Sequence, residues 1–292
     1  MSDGSSKQKS QKKRSERLVS LSVGSGLGLI AAALSMSAVV VFLTSCAGGS
    51  SKVAEEESGV SDAFEFRTST EHLLDGNNYF KKGDYAKAEV SYRKALKKDP
   101  NNPTAKNNLG VILNELGKPD EAIPILQEAI KTDNKNAIAH YVLGKALNSK
   151  QRFDEAFTEA KLATELDPTD PIGWRTLGEA ALGRGEIDTA ISAFKQAIGI
   201  DDTHDLSHHR LAQALAIKGD VEGQIDEERN ALELNPNNID ARLSLAIALT
   251  NQGKRDDAIA ELKEVLEIDP KNNAAQSLYK ELKISTQPAK TN

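Results

Sequence analysis

The chain has 292 residues, 39% apolar, 27% charged and 4% aromatic, with 37 basic against 43 acidic side chains and a net charge of −6. That is too apolar for a chain disordered throughout and too charged for a polytopic membrane protein. The acidic balance and thirteen aromatic residues disfavour nucleic acid as a partner, and the lone cysteine, Cys46, excludes an intramolecular disulfide and a Cys-rich metal site.

The first segment is a basic head. Lys7, Lys9, Lys12, Lys13, Arg14 and Arg17 against Asp3 and Glu16 leave residues 1–17 at +4. From Leu18 to Ser51 no charge occurs. The densest part, Leu27 to Leu43, would make roughly 26 Å of helix, and with its milder flank it reaches the ~20 residues a bilayer requires. A buried core helix would rarely stay uncharged for so long, so residues 18–46 read as a transmembrane or signal segment. The positive flank keeps the N-terminus cytoplasmic and sends the rest of the chain across the membrane.

This segment ends in Leu43-Thr44-Ser45-Cys46, followed by Ala47 and Gly48. The pattern resembles a bacterial lipobox, and the resemblance implies lipidation of Cys46 with removal of the preceding peptide. The apolar stretch exceeds the 7–15 residues of a signal core. An uncleaved single-span anchor therefore stands beside the processed lipoprotein, with a conventional cleaved signal as a third reading. The first two keep the body tethered. Residues 47–68, with Gly48, Gly49 and the Glu55–Glu57 cluster, read as a flexible acidic tether with a mean span of roughly 25 Å.

A 34-residue period then governs the chain. Asp99-Pro100, Asp167-Pro168, Asn235-Pro236 and Asp269-Pro270 fall in register, as do Gly83, Gly117, Gly185, Gly219 and Gly253, with Gln151 as the lone substitute. Ala88, Ala122, Ala156, Ala190 and Ala258 form a third column and Leu109, Leu143, Leu177, Leu211 and Leu245 a fourth. The glycines suit a helix end that needs positive φ, and the prolines cannot continue a helix. Small residues at Gly76, Gly110, Gly144, Gly178, Ala212 and Ala246 let a first helix approach the alanines of a second. Tyr92, Leu126, Phe194 and Leu262 are expected to add bulk toward the next unit.

With units starting at 69, 103, 137, 171, 205 and 239, these columns resemble the tetratricopeptide repeat family. His72, Asp75, Gly76, Tyr79, Ala88, Tyr92, Ala95 and Pro100 fill its columns in the first unit, and Trp174, Leu177, Gly178, Ala181, Ala190, Phe194, Ala197 and Asp202 in the fourth. The resemblance implies an all-α solenoid of six antiparallel helix pairs (69–102, 103–136, 137–170, 171–204, 205–238 and 239–272) in a right-handed superhelix with a concave groove. A capping helix is expected over residues 273–284, with Leu278 and Leu282 turned inward, and a disordered tail over 285–292. Asp75 replaces the usual leucine, as suits a terminal unit. Pro124 should kink its helix, and Gln224 with Glu228 should loosen the fifth unit.

Chemistry is scarce. His72, His140 and His208 share repeat position 4 with Trp174, which points to packing; His204, His208 and His209 lack the carboxylate or cysteine pattern of a metal site. No nucleophile, phosphate-loop or metalloprotease motif occurs, so neither catalysis nor a cofactor is expected. The family resemblance implies that the groove is lined by Asn77, Phe80, Lys81, Asn107, Val111, Asn114, Tyr141, Lys145, Asn148, Arg175, Glu179, His209, Gln213, Leu243 and Ile247. Its asparagines suit the backbone of an extended peptide. Asn77 and Asn108 match the asparagines of the family's carboxylate clamp, but Leu73, Ile138 and Val142 stand in its basic slots, which argues against that recognition mode.

The expected function is a membrane-tethered scaffold that binds protein or peptide segments and helps to assemble or maintain a membrane or envelope complex. The expected location of the repeats is extracytoplasmic, in a periplasm or on the lumenal side of a photosynthetic membrane. Architecturally the chain resembles lipoproteins that assist pilus secretins as well as anchored repeat factors of photosynthetic membranes. An envelope enzyme using the repeats as a platform is the rival reading, and the residues leave the oligomeric state open.

Overall fold

The computed structural model describes residues 67–284. The basic head, the apolar segment with Cys46, nearly all of the tether and the tail 285–292 lie outside the described residues. Within them are thirteen helices and no strand. In order they are α1 (Ser69–Lys81), α2 (Tyr85–Lys98), α3 (Pro103–Glu115), α4 (Pro119–Thr132), α5 (Ala137–Ser149), α6 (Phe153–Leu166) and α7 (Pro171–Gly183). Then follow α8 (Ile187–Ile200), α9 (Asp205–Lys218), α10 (Val221–Leu234), α11 (Ile239–Asn251), α12 (Arg255–Ile268) and α13 (Asn273–Ile284).

Most starts have a local cause. Thr68 and Glu71 form a reciprocal capping box, and Asp84, Asn102, Asn136, Asp170, Asp220 and Asn238 accept a backbone N–H from the first turn of the helix they precede. Pro103, Pro119 and Pro171 occupy first turns, where no N–H is required. Within each hairpin the chain reverses through a left-handed residue. Five are glycines, with φ between +69° and +85°, and the sixth is Gln151 at +58°. Between hairpins, the Asp99, Asp133, Asp167, Asp201, Asn235 and Asp269 side chains each accept the N–H two residues on, at 3.0–3.3 Å. An Asx turn therefore closes every unit, including those without the proline.

Every helix packs on the next, and α3, α5, α7 and α9 also touch one another in file. The odd-numbered helices thus crowd together along one side, the inner wall of a curved solenoid. The apolar interior runs the length of this file as successive clusters rather than one centre. Asp75, at the exposed start, is ion-paired with Arg67. At the other end Ala275 and Leu282 of α13 are buried against the last hairpin, with Leu278 half-buried beside them.

Tyr92, Leu126 and Phe194 of the second helices share apolar clusters with the hairpin that follows, and each also lies over the glycine of its own hairpin. A Cβ on Gly110 would stand 2.4 Å from Leu126, and one on Gly178 2.5 Å from Phe194. Helix α4 stays helical through Pro124, the position at which a bend is expected. Both Pro124 and Asp120, whose carbonyl the proline deprives of a helical partner, are exposed, so water can serve that carbonyl. One expectation needs correction: the fifth unit is not loose, for Gln224 and Glu228 are buried, at 7% and 0% exposure, and both have polar partners.

Candidate protein-binding groove

The N-terminal half of the inner wall is rich in asparagine, but these side chains hold the repeats together. Asn77 Oδ1 accepts from the Tyr92 hydroxyl at 2.9 Å and from Asn108 Nδ2 at 3.0 Å. Asn114 Nδ2 donates to the Val142 carbonyl at 2.8 Å, and Asn148 Nδ2, one repeat later, to the Thr176 carbonyl at 3.3 Å. Their Oδ1 atoms and that of Asn107 are shielded from solvent. Tyr141 is 7% exposed and belongs to the core, with Phe80 and Val111 packed against the same cluster. These residues are therefore largely withdrawn from a partner, because the next helix stands close enough to claim them. Lys81 is exposed at the end of α1.

The middle of the wall is charged. Lys145 pairs with Glu115 at 2.8 Å, and Glu179 faces Arg210 at 3.4 Å. Arg175, half-buried on α7, has no ion pair among the described residues. It is the guanidinium of this wall that remains available.

The C-terminal part is different again. Arg210 donates to Gln213 Oε1 at 2.8 Å, which turns the Gln213 amide nitrogen toward His209 Nε2 at 3.0 Å. His209 Nε2 must then accept, so Nδ1 carries the proton and donates to Glu228 Oε2 at 2.8 Å. Burial pushes the Glu228 carboxyl up, and the His209 hydrogen bond opposes the shift. Above this chain, between α9 and α11, lies an open cavity of about 340 Å³. Leu206, His209, Arg210, Gln213, Asn238, Asp240, Leu243, Ser244 and Ile247 line it. His209, Gln213, Leu243 and Ile247 were legible as wall residues. Leu206 and Asp240 were not singled out, although they occupy position 2 of the last two repeats and the column itself would have found them.

The position-4 residues have a task beyond packing. Trp174 donates to the Pro168 carbonyl at 2.9 Å, Arg242 to Pro236 at 2.8 Å and Gln276 to Pro270 at 2.8 Å. His140 Nε2 meets the Asn134 carbonyl at 3.1 Å, and His208 bonds the Asp202 backbone. Each thus stitches its repeat to the loop six residues earlier. His72 is buried at the start of the array, where burial and neighbouring lysines lower its pKa. Among the described residues no group of three or more His, Cys, Asp or Glu is placed to hold a metal ion. His208 and His209 bond different carboxylates, Glu227 and Glu228.

Two repeat models match this region. A general tetratricopeptide repeat model covers residues 73–137 and 115–171, and the tetratricopeptide domain of cytochrome c-type biogenesis protein H covers 160–275. Residues 73–275 are tetratricopeptide repeats. Among solved structures, the Cut9–Hcn1 hetero-tetramer of the APC/C gives a TM-score of 0.68 at 20% identity, covering 76% of this chain and 44% of that one. This chain thus spans less than half the length of that relative. PilW, a type IV pilus biogenesis factor, gives 0.65 at 19% identity, covering 72% and 97%. PilF of Pseudomonas aeruginosa gives 0.62 at 20%, covering 74% and 97%. At such identities the likeness is one of fold. No curated protein matches the chain in sequence. The tetratricopeptide array is a scaffold-type fold for binding proteins or peptides, and none of its described helices is long and apolar enough to cross a membrane.

Proposed function

We propose that this protein is a tethered assembly scaffold. Its tetratricopeptide array holds a segment of a partner protein along the inner wall, and its N-terminal segment fixes the array to a membrane. The observation that carries the reading is the division of labour on the wall. Asparagines close the N-terminal half internally, while Arg175 and the cavity between α9 and α11 stay open to a partner. The tether rests on the uncharged run from Leu18 to Ser51 behind a basic head, with Cys46 as its lipidation site or an uncleaved helix as its anchor. The repeats then lie on the extracytoplasmic side. A narrower version, a helper for a pilus secretin, is supported by the likeness in fold to PilW, a type IV pilus biogenesis factor, and to PilF.

Photocrosslinkers placed at Arg175 and Ile247 of the full chain in native membranes test this reading. A discrete crosslinked protein at either position is expected, with none from the outer-helix position Val90. Equal crosslinking at all three, or none, would refute it. The mass of the mature N-terminus separates a lipidated Cys46 from an intact leader.

A further inference from the structure

The departures from the repeat pattern converge on one place. Position 24 carries Tyr92, Leu126, Phe194 or Leu262 in four units and Ala160 in the third, but Glu228 in the fifth. Position 20 is alanine everywhere except at Gln224. Both departures are buried and used. Glu228 holds His209, and Gln224 Nε2 donates to Ser244 Oγ at 3.3 Å. The chain from Arg210 through Gln213 and His209 to Glu228 fixes the floor of the cavity before anything binds. A unit that served only to stack would have no use for it.

The remaining walls state what would fit. Leu206, Leu243 and Ile247 form an aliphatic side, and Leu206 and Ile247 are 37% and 45% exposed despite their size. The cavity has room for one bulky side chain and its backbone. Asp240 stands at the rim, exposed and without a cation among the described residues, whereas Arg210 is engaged by Gln213 and faces Glu179. The unbalanced charge of the rim is therefore negative.

We infer that this cavity is the specificity subsite of the groove: it takes a leucine-like aliphatic side chain from an extended partner segment, with an adjacent lysine or arginine set against Asp240. The inference rests on the reading that the inner wall binds a protein segment. Aliphatic burial supplies the attraction, and the charge pair at the rim selects the register.

An array of short extended peptides, varied at one adjacent residue pair, tests it against the full chain in detergent. Aliphatic–basic pairs should be retained about tenfold over aliphatic–acidic or serine–basic pairs. Asp240→Lys should reverse the charge preference, and Ile247→Asp should abolish retention, each with wild-type circular dichroism. No pair preference, or a charge preference unchanged by Asp240→Lys, would overturn the subsite. If Arg175 still crosslinks to a partner in that event, the groove reading stands and only the subsite falls; if neither Arg175 nor Ile247 crosslinks, both fall.

Discussion

His140 Nδ1 lies 2.6 Å from Glu159 Oε2 while its Nε2 meets the Asn134 carbonyl, and His208 with Glu227 repeats the 2.6 Å contact two units later. A carbonyl only accepts, so Nε2 carries a proton; a carboxylate at that distance from Nδ1 demands a second. Both rings are held as imidazolium. Burial lowers the His140 pKa, but the Glu159 and Asn134 hydrogen bonds outweigh it and the net shift is upward. For His208 the Glu227 hydrogen bond dominates and raises it, against burial.

The sign of the pH dependence follows. A histidine whose pKa is higher folded than unfolded contributes its full stabilisation below the unfolded value of 6.5. That contribution is lost as pH rises from there through the folded value. Thermal unfolding should show the melting temperature falling across this interval, and less steeply in the Glu159→Gln/Glu227→Gln variant. An identical slope in both proteins would dismiss the imidazolium assignment.

The buried His209–Glu228 pair should cost the fold stability. Replacing both by leucine reproduces the Leu243 and Leu262 arrangement of the sixth unit, and we expect a gain of about 1–4 kcal/mol in urea denaturation. Glu228→Ala alone leaves His209 without its acceptor and opens a void, for an expected loss of about 3 kcal/mol. The stabilised double variant should lose the peptide preference of the cavity.

Gln151 holds φ at +58°, where the other five units have glycine. Its side chain is exposed, so little packing is lost on removing it. Gln151→Gly should raise the urea midpoint, by a stabilisation of about 1 kcal/mol.

Gly178 lies beneath the Phe194 ring, which is fully buried. Gly178→Ala should destabilise the array by about 1–3 kcal/mol, as overpacking does. Adding Phe194→Leu should recover part of the loss, giving the coupling a double-mutant cycle would measure.

The stacking of the repeats was legible because it is repetitive: a column of glycines or alanines at a 34-residue spacing has one backbone cause at every turn. The groove was less so. Asn114 and Asn148 look like donors for a peptide, yet each reaches a carbonyl 28 residues on. That distance depends on how closely adjacent repeats pack, which no spacing within one repeat states. Glu228 looked like a flaw in a core column because its partner, His209, belongs to a different column 19 residues away. Asp240 is one surface carboxylate among many in the sequence, and only the fold shows that the nearby Arg210 is turned to Glu179.

The stitches from position 4 also set how the molecule responds to tension. Five junctions carry one, from His140, Trp174, His208, Arg242 and Gln276, while Lys106, at the junction of the first two hairpins, turns to Glu128 instead. A pull entering from the N-terminal end therefore first meets a seam held without that stitch, by Asn108 on Asn77 and by the Arg93–Glu121 and Lys118–Glu89 pairs instead.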